Sequence, residues 1–519
     1  MKEVFPGLLS RTFKRLDTPS EKLLYCRVRG NDTRTRTIYS EGDLYMGKYF
    51  GTDGFRGEAN VTLTADHAFR LGRFLGWYCG RHDLSRPAEE TIAYHRPRIV
   101  VGKDTRRSSY MFEYAVAAGL AASGAEPHML HVTTTPSVSF VTERENFDGG
   151  VMISASHNPF SDNGIKLVNR HGEKIGDDTI AIIEAYLDGG AAALGLTEAE
   201  MWNGDLPVAT GADVGAIVDH AAGRNRYVGY LISLAAHSYK DFRVGLDCAN
   251  GAAWMIGRAV FEALGAKTYV TGDRPDGLNI NVDCGSTHVE RLKRMVLEEG
   301  LDVGFAFDGD ADRCIAVDER GNEVNGDHIL YILGKAMKEQ GSLANNTVVT
   351  TVMSNMGLYR ALEDAGIDYV QTTVGDRFVY ENMVEDGHVL GGEQSGHIIL
   401  RKYATTGDGI LTAVMVMERI VESKLPLSKL AEPVVMYPQI TRNIRVPDKD
   451  AVLRHPAVQA KLTECNTRLG GVGRMLLRKS GTEPVVRIMA EAADEAVCEA
   501  YVREMADTIA SEKLTCEES

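Results

Sequence analysis

The feature that most constrains the fold of this chain is a unit that recurs three times along it. Each unit has a short run of β-branched and apolar residues, a turn bearing glycine or asparagine, and a helical pattern. The copies lie at residues 98–125, 242–266 and 346–375. Because repeated strand–helix units are typical of α/β domains, the sequence predicts three similar α/β modules.

The segment after about residue 425 has a different pattern. It contains a run rich in proline and valine, the strand-like runs RMLLRKSG and PVVRIMAEA, and a helical pattern from Asp494 to Ala510. This predicts a smaller α+β domain, and 519 residues are enough for three or four domains. The predicted domains are residues 46–205, 206–321, 322–428 and 429–519.

The first 45 residues differ from the rest. The first 40 carry nine Lys or Arg against four Asp or Glu and show no sustained helical or strand periodicity of apolar residues. They lack the apolar core of a signal peptide, and their acidic residues fit a transit peptide poorly. We expect residues 1–45 to be a disordered leader, or a start-site artefact with the true start at Met46.

Charge and cysteine usage narrow the class of partner. A net charge of −15 argues against nucleic acid or an anionic membrane, because both need a positive surface. No run approaches the roughly 20 apolar residues of a membrane helix. The eight cysteines are scattered without a CxxC pair, which indicates reduced thiols. We expect a cytoplasmic protein that binds a small molecule, with no nucleic acid and no membrane.

A serine-bearing motif, SASHNP, directly follows the apolar run GGVMI. Ser154 and Ser156 therefore stand at the carboxyl end of a predicted strand, where open α/β sheets place ligands. A hydroxyl is a poor nucleophile until a base, a metal or a leaving group activates it. The motif alone is explained equally well as a strand-ending turn, since Ser, Asn and Pro are turn residues.

A second motif, DGDADR, lies between the apolar runs VGFAF and CIAVD. It brings Asp308, Asp310 and Asp312 into one short loop, and three oxygen ligands of this kind suit Mg²⁺. Without a cation, three clustered carboxylates would repel one another. In the competing EF-hand interpretation Glu319 takes the twelfth position, but Arg313 replaces the glycine needed at the sixth and strands flank the loop. The motif favours one magnesium ion.

Three further motifs are weaker signals. GEQSGH at residues 392–397 offers groups that match sugar hydroxyls, although polar glycine-rich loops are also common surface turns. RKSGTEPVVR at residues 478–487 combines arginines, hydroxyls and a glycine into a candidate phosphate cradle, with a solvated charged turn as the alternative. GTDGFRG at residues 51–57 is a tight glycine turn carrying one arginine.

Together and in this order, the five motifs resemble the α-D-phosphohexomutase superfamily, from about Met46 to the C-terminal helix. The segments GKYFGTDGFRG, ISASHNPFSDNGIK and GEQSGH are most similar to the bacterial phosphoglucosamine mutase branch. Phosphomannomutase/phosphoglucomutase relatives more often have methionine where Gln394 stands. The resemblance implies four domains: three similar α/β modules with mixed sheets and a C-terminal α+β domain like the TATA-binding protein.

The resemblance also implies roles for individual residues. The phosphorylated serine would be Ser156, and the four domains would carry, in order, the phosphoserine, the metal, the sugar site and the phosphate cradle. The implied ligands of one Mg²⁺ per chain are Ser156, Asp308, Asp310 and Asp312. The implied catalytic residues are Ser156, His157, Lys166 and Arg313. The implied substrate-binding residues are Thr52, Arg56, Glu393, Ser395, His397, Arg478, Ser480, Gly481, Thr482 and Arg487.

The implied activity is the interconversion of glucosamine 6-phosphate and glucosamine 1-phosphate, feeding UDP-N-acetylglucosamine synthesis. It would run through a phosphoserine enzyme and a 1,6-bisphosphate intermediate. A phosphomannomutase/phosphoglucomutase, a Mg-dependent sugar phosphatase and a non-catalytic sugar-phosphate sensor stay open as alternatives. So do the preferred hexose and the choice between monomer and homodimer.

Overall fold

The computed structural model describes residues 47–51, 53–81, 96–480 and 484–516. The predicted leader at residues 1–45, and the site candidates Thr52, Gly481 and Thr482, lie outside the described residues. The described part of the chain contains four sheets and fifteen α-helices. None of these helices combines the length and the apolar character needed to cross a bilayer.

The first module is built on a seven-stranded mixed sheet. Its strands are β1 (Phe50–Gly51), β2 (Gly54–Glu58), β3 (Arg98–Lys103), β4 (Glu126–Val132), β5 (Gly149–Ile153), β6 (Asp162–Asn169) and β7 (Val218–Asp219). Its helices are α1 (Ala65–Arg81), α2 (Arg107–Ala122), α3 (Thr135–Arg144) and α4 (Asp177–Ala193). The sheet order is β1-β2-β6-β5-β3-β4-β7, with β3 parallel to β4 and β5, and β6 antiparallel to β5 and β2.

The second module has a five-stranded sheet in the order β12-β11-β10-β8-β9. Its strands are β8 (Arg243–Asp247), β9 (Lys267–Thr271), β10 (Val303–Phe307), β11 (Cys314–Asp318) and β12 (Glu323–Val324). Its helices are α5 (Ala221–Leu234), α6 (Ala253–Ala263) and α7 (Glu290–Glu299). The parallel neighbours are β8 with β9 and β10, whereas β10, β11 and β12 run antiparallel in turn.

The third module has a four-stranded sheet in the order β14-β13-β15-β16. Its strands are β13 (Thr347–Thr351), β14 (Asp368–Thr372), β15 (Leu390–Gly392) and β16 (Ile398–Leu400). Its helices are α8 (Gly326–Glu339), α9 (Met356–Asp364), α10 (Asp376–Glu385), α11 (Gly409–Ser423) and α12 (Leu427–Ala431). The strand–helix unit that recurs in the sequence is β3–α2, β8–α6 and β13–α9, so the prediction of three similar α/β modules is confirmed.

The C-terminal module is α+β, as predicted. Its strands β17 (Gln439–Arg445), β18 (Gly473–Lys479) and β19 (Val485–Ala492) form an antiparallel sheet in the order β17-β19-β18. Its helices are α13 (Lys449–Arg454), α14 (Pro456–Leu469) and α15 (Glu495–Ser511).

The cores of the modules differ in how far they extend. One buried cluster runs through the second and third modules, from Tyr227 to Val434, because α11 packs against both. The first module and the C-terminal module each have a buried cluster of their own. The C-terminal module therefore has an apolar cluster separate from the others, while the second and third modules share their apolar interior.

Candidate active site

Ser156 follows β5 and is only 1% exposed. Its φ of 54° lies in the left-handed region, which non-glycine residues seldom adopt and which often marks a functional turn. The hydroxyl donates to Oδ2 of Asp308 and lies 3.2 Å from Nδ1 of His157. The carbonyl accepts from Arg106 Nη2 at 3.1 Å and from Asn281 Nδ2 at 2.9 Å. Two modules therefore hold this serine in place.

The three aspartates of the DGDADR motif lie between β10 and β11 and are buried. One oxygen from each of Asp308, Asp310 and Asp312 lies within 4.8 Å of the others. Among the described residues, Oδ1 of Asp310 and Oδ1 of Asp312 find no hydrogen-bond partner. Burial, together with the charges of Asp312 and Asp310, raises the pKa of Asp308 well above its usual range. Buried carboxylates that repel one another are suited to a metal ion.

Lys166 lies in β6, opposite Met152 of β5, and is buried. Its Nζ is 2.7 Å from Asp310 Oδ2, 3.0 Å from Asp312 Oδ2 and 2.9 Å from Asp53 Oδ2. Although burial acts in the opposite direction, these carboxylates raise the pKa of Lys166 well above its usual range. Lys166 is thus a cation held against the aspartate loop.

Two arginines add to the positive charge around the serine. The backbone N–H of Arg313 donates to Asp308 Oδ1 at 3.2 Å, and Arg56 forms an ion pair with Asp53. Burial and the charges of Arg313 and Arg56 lower the pKa of His157 to about 3, so its ring is neutral. Groups of this kind, fixed in a buried site, stabilise negative charge that develops on a transferring phosphoryl group.

The GEQSGH loop connects β15 to β16. Glu393 accepts from the backbone N–H of Gly375 at 3.0 Å and from the hydroxyl of Ser395 at 3.3 Å. His397 Nδ1 lies 3.7 Å from Asp312 Oδ1, and its Nε2 lies 3.3 Å from Asp376 Oδ2. This loop therefore reaches the aspartate loop of the second module.

The charge of His397 follows from its carboxylate neighbours. Burial opposes protonation, but Asp376 and Asp312 raise the pKa of the ring to about 9. The backbone N–H of Gly407 also lies 3.0 Å from Nε2, which favours a neutral ring. One neutral hydrogen bond contributes only about 1 kcal/mol, less than two nearby buried charges. We therefore describe His397 as a cation.

Arg478 and Arg487 lie directly opposite each other on β18 and β19. Burial and the charge of Arg487 lower the pKa of Arg478, while Glu393 of the third module acts in the opposite direction. Ser480 is buried, and Lys449 Nζ donates to its carbonyl at 2.7 Å. The two arginines thus form a cationic patch. The negative charge of Glu393, in the GEQSGH loop, acts on this patch.

Sequence reasoning missed several residues that contact the site. Asp53 lies inside the GTDGFRG motif, three positions before Arg56, so the motif was a signal for it. Thr135 donates to Asp310 Oδ2, and Lys174 lies 2.6 Å from Asp53 and 2.5 Å from Asp376. No sequence motif pointed to Thr135 or Lys174, because their partners come from distant parts of the chain.

Sequence profiles of the phosphoglucomutase/phosphomannomutase family match the chain in four consecutive segments. They are alpha/beta/alpha domain I at residues 47–193, domain II at 225–321, domain III at 325–437 and the C-terminal domain at 442–508.

Named relatives agree with these matches. The phosphoglucosamine mutase of Lachnospira eligens is 59% identical over 90% of this chain and 99% of its own length. That of Bacillus subtilis is 46% identical over 90% of this chain and 99% of its own length.

Solved structures share the fold at lower identity. A phosphoglucomutase/phosphomannomutase family protein from Burkholderia thailandensis has a TM-score of 0.70 at 21% identity, over 89% of this chain and 97% of its own. Aspergillus fumigatus N-acetylphosphoglucosamine mutase, in complex with GlcNAc-6P and magnesium, has a TM-score of 0.60 at 17% identity, over 89% of this chain and 95% of its own. With four family segments and close relatives over nearly all of their length, this chain belongs to the phosphoglucomutase/phosphomannomutase family of α-D-phosphohexomutases, together with the bacterial phosphoglucosamine mutases.

Proposed function

We propose that this protein interconverts glucosamine 6-phosphate and glucosamine 1-phosphate, with Ser156 as the phosphoryl carrier. The observation that carries the proposal is the hydrogen bond from the buried Ser156 hydroxyl to Asp308, at the edge of a cluster of three carboxylates. The names of the bacterial relatives support the choice of an amino sugar.

The charges around Ser156 suit a phosphoserine. Asp308, Asp310, Asp312 and the phosphorylated Ser156 would hold one Mg²⁺, which when bound neutralises charge on the transferring group. Lys166 and Arg313 supply fixed positive charge on the protein side. Catalysis then consists mainly of positioning and electrostatic stabilisation.

Lys166 is proposed to move the protons. In each transfer the bond from phosphorus to the Ser156 oxygen breaks, and a bond from phosphorus to a sugar oxygen forms. The sugar hydroxyl loses one proton, and the Ser156 oxygen gains one. A cationic Lys166 can give its proton to the serine and take the proton of the sugar hydroxyl, so it ends the step as it began.

The arginine patch favours a mutase over a phosphatase. A mutase must hold the non-reacting phosphate while the other one reacts, and must do so again after the bisphosphate has turned round. Arg478 and Arg487 on neighbouring strands offer paired donors for one phosphate in both orientations. Glu393 and Ser395 are proposed to bind sugar hydroxyls between this patch and Ser156.

The test is a substrate panel with the purified full chain and Mg²⁺. We expect glucosamine 6-phosphate to yield glucosamine 1-phosphate with the highest kcat/KM among glucosamine, glucose and mannose phosphates. A higher value for glucose or mannose phosphate would indicate a phosphomannomutase/phosphoglucomutase instead. Release of the label from ³²P-labelled substrate as inorganic phosphate would indicate a phosphatase, and no turnover of any sugar phosphate would indicate a sensor.

The cysteines bear on the cellular setting. None of the seven cysteines that the structure describes forms a disulfide, and six of them are buried, which supports a reducing compartment such as the cytoplasm. We propose a monomer or homodimer with one Mg²⁺ per chain. Light scattering coupled to gel filtration, and metal analysis of the purified protein, test these two statements.

A further inference from the structure

We propose that Lys174 and Asp376 are positioning residues for this reaction, because they complete a ring of side chains that holds Lys166 and His397 in place. The proposal rests on the proposed function, since a positioning role presupposes that Lys166 takes part in phosphoryl transfer. Neither residue lies in a motif that pointed to the site.

The ring consists of six side chains in contact, each with the next. In order around the ring, the contacts are Lys166 Nζ to Asp53 Oδ2 at 2.9 Å, Asp53 Oδ1 to Lys174 Nζ at 2.6 Å, Lys174 Nζ to Asp376 Oδ2 at 2.5 Å, Asp376 Oδ2 to His397 Nε2 at 3.3 Å, His397 Nδ1 to Asp312 Oδ1 at 3.7 Å, and Asp312 Oδ2 to Lys166 Nζ at 3.0 Å. Carboxylates alternate around the ring with the two lysines and the ring of His397.

The ring joins three modules. Asp53, Lys166 and Lys174 belong to the first, Asp312 to the second, and Asp376 and His397 to the third. The most exposed side chain of the six is that of Lys174, at 23%. A buried charge that loses its partner is strongly unfavourable, so the contacts with both neighbours resist any displacement of a member.

Lys174 and Asp376 act through their neighbours. Asp53 divides its two oxygens between Lys166 and Lys174, so Lys174 decides which way the Asp53 carboxylate faces. Asp376 contacts both Lys174 and His397 through the same oxygen, Oδ2, so it links these two side chains. Removing Lys174 takes away one of the cations that hold Asp53, and removing Asp376 takes away one of the two carboxylates next to His397. Either change lets Asp53 or His397 shift, and with it the position of Lys166. A displacement of about 1 Å at a reacting group can lower a rate by about 10²-fold.

Other contacts outside the ring hold the first and third modules together. The hydroxyl of Tyr380 donates to Glu173 Oε1 at 2.8 Å, and that of Thr405 donates to the carbonyl of Gly172 at 2.7 Å. Arg377 forms an ion pair with Asp177. The junction therefore does not depend on the ring alone, and Tyr380→Phe is a matched control that removes one contact between modules and leaves the ring closed.

The experiment compares Asp376→Asn, Lys174→Met, Lys174→Arg and Tyr380→Phe with the wild type. We measure kcat and KM for glucosamine 6-phosphate, and the melting temperature of each protein. For Asp376→Asn and Lys174→Met we expect kcat to fall by about 10- to 100-fold, with KM changed by less than about threefold. Lys174→Arg should recover part of the loss, because it keeps the charge, and Tyr380→Phe should resemble the wild type.

Three results would overturn the proposal. They are an unchanged kcat in Asp376→Asn, a rise in KM without loss of kcat, and an equal loss of kcat in Tyr380→Phe. If Lys174→Met does not fold, Asp376→Asn alone tests the proposal, because asparagine keeps the size of the side chain. If neither variant folds, the ring is only structural and the proposal is wrong. A wild type that prefers another hexose phosphate contradicts the proposed function alone, and the variants are then compared on that substrate.

Discussion

The serine–aspartate centre (Ser156, Lys166, Asp308, Asp310 and Asp312) and the arginine patch (Arg478 and Arg487) are built in opposite ways. Every member of the centre is at most 4% exposed and contacts a side chain of another module. Both arginines of the patch are partly exposed and lie on a module with its own core.

The difference follows from what each region is proposed to do. Transfer of a phosphoryl group to a sugar, and not to water, requires a dry site whose charges are already in place. The patch must bind one phosphate, release it and bind another within a single turnover. We therefore expect substitutions in the centre to lower kcat and substitutions in the patch to raise KM.

The largest expected effect is that of Ser156→Ala, which removes the phosphoryl carrier. Mutase activity should fall by about 10⁴-fold or more, as for loss of a catalytic nucleophile. Intact-mass analysis should find the added mass of one phosphate on active wild type and none on the variant. The control is Ser233→Ala, an exposed serine of α5 that should keep full activity. Substantial activity in Ser156→Ala would show that the centre does not work as a covalent carrier.

Asp310→Asn tests whether the centre needs its three charges for a metal. Activity at a fixed Mg²⁺ concentration should fall by about 10²- to 10³-fold, because one of three charged ligands is lost. A chelator should abolish wild-type activity, and added Mg²⁺ should restore it. Mg²⁺ should also raise the melting temperature of the wild type more than that of the variant, since a ligand of the folded state stabilises it. Equal shifts in the two proteins would place the metal elsewhere.

Arg487→Met tests the patch. A hydrogen bond from a charged group contributes about 1.5–3 kcal/mol, so KM should rise by about 10- to 100-fold while kcat changes far less. Arg442→Met is the matched control, because Arg442 is an exposed arginine on β17 of the same sheet. A fall in kcat with unchanged KM would mean that the patch and the centre do not divide the work as proposed.

The smallest expected effect concerns the junction between the third module and the module that carries the patch. Asp327 is fully buried at the start of α8 and accepts from the backbone N–H of Asn355 at 2.7 Å. Close by, Arg474 and the backbone N–H of Met356 bind the two carboxylate oxygens of Glu491. Burial raises the pKa of Asp327 to about 7.

The sign of the pH dependence follows from that raised pKa. The folded protein holds the Asp327 proton more tightly than the unfolded chain, so this contribution to stability is complete below about pH 4 and is lost as pH rises to about 7. Asp327→Asn removes this pH-dependent contribution to stability. Between pH 5 and pH 8 the melting temperature of the variant should therefore fall by a few degrees less than that of the wild type. Asp368→Asn, at an exposed position, serves as control. Parallel pH curves for wild type and Asp327→Asn would contradict the assignment.

The repeated strand–helix units and the five motifs were readable because they are local. A strand, a turn and a helix are set by residues within about 25 positions, and DGDADR brings its three carboxylates together in one loop whatever surrounds it. The fold class, the family and the grouping of the three aspartates could therefore be predicted from the sequence. The roles of Ser156 and Lys166 stay predictions.

The ring through Lys174 and Asp376 could not be predicted in this way. Its members are separated by up to 344 positions, from Asp53 to His397, and each alone is an ordinary charged residue. The same holds for Arg106 and Asn281, which meet at the carbonyl of Ser156 from two modules.

The sequence by itself determined which groups are present for phosphoryl transfer and the loops that carry them. Only the tertiary structure decided which buried charges pair and which neighbours set their pKa values. The physical reason is that local backbone geometry depends on nearby residues, whereas the pairing of buried charges depends on how separate sheets pack and on the removal of water between them.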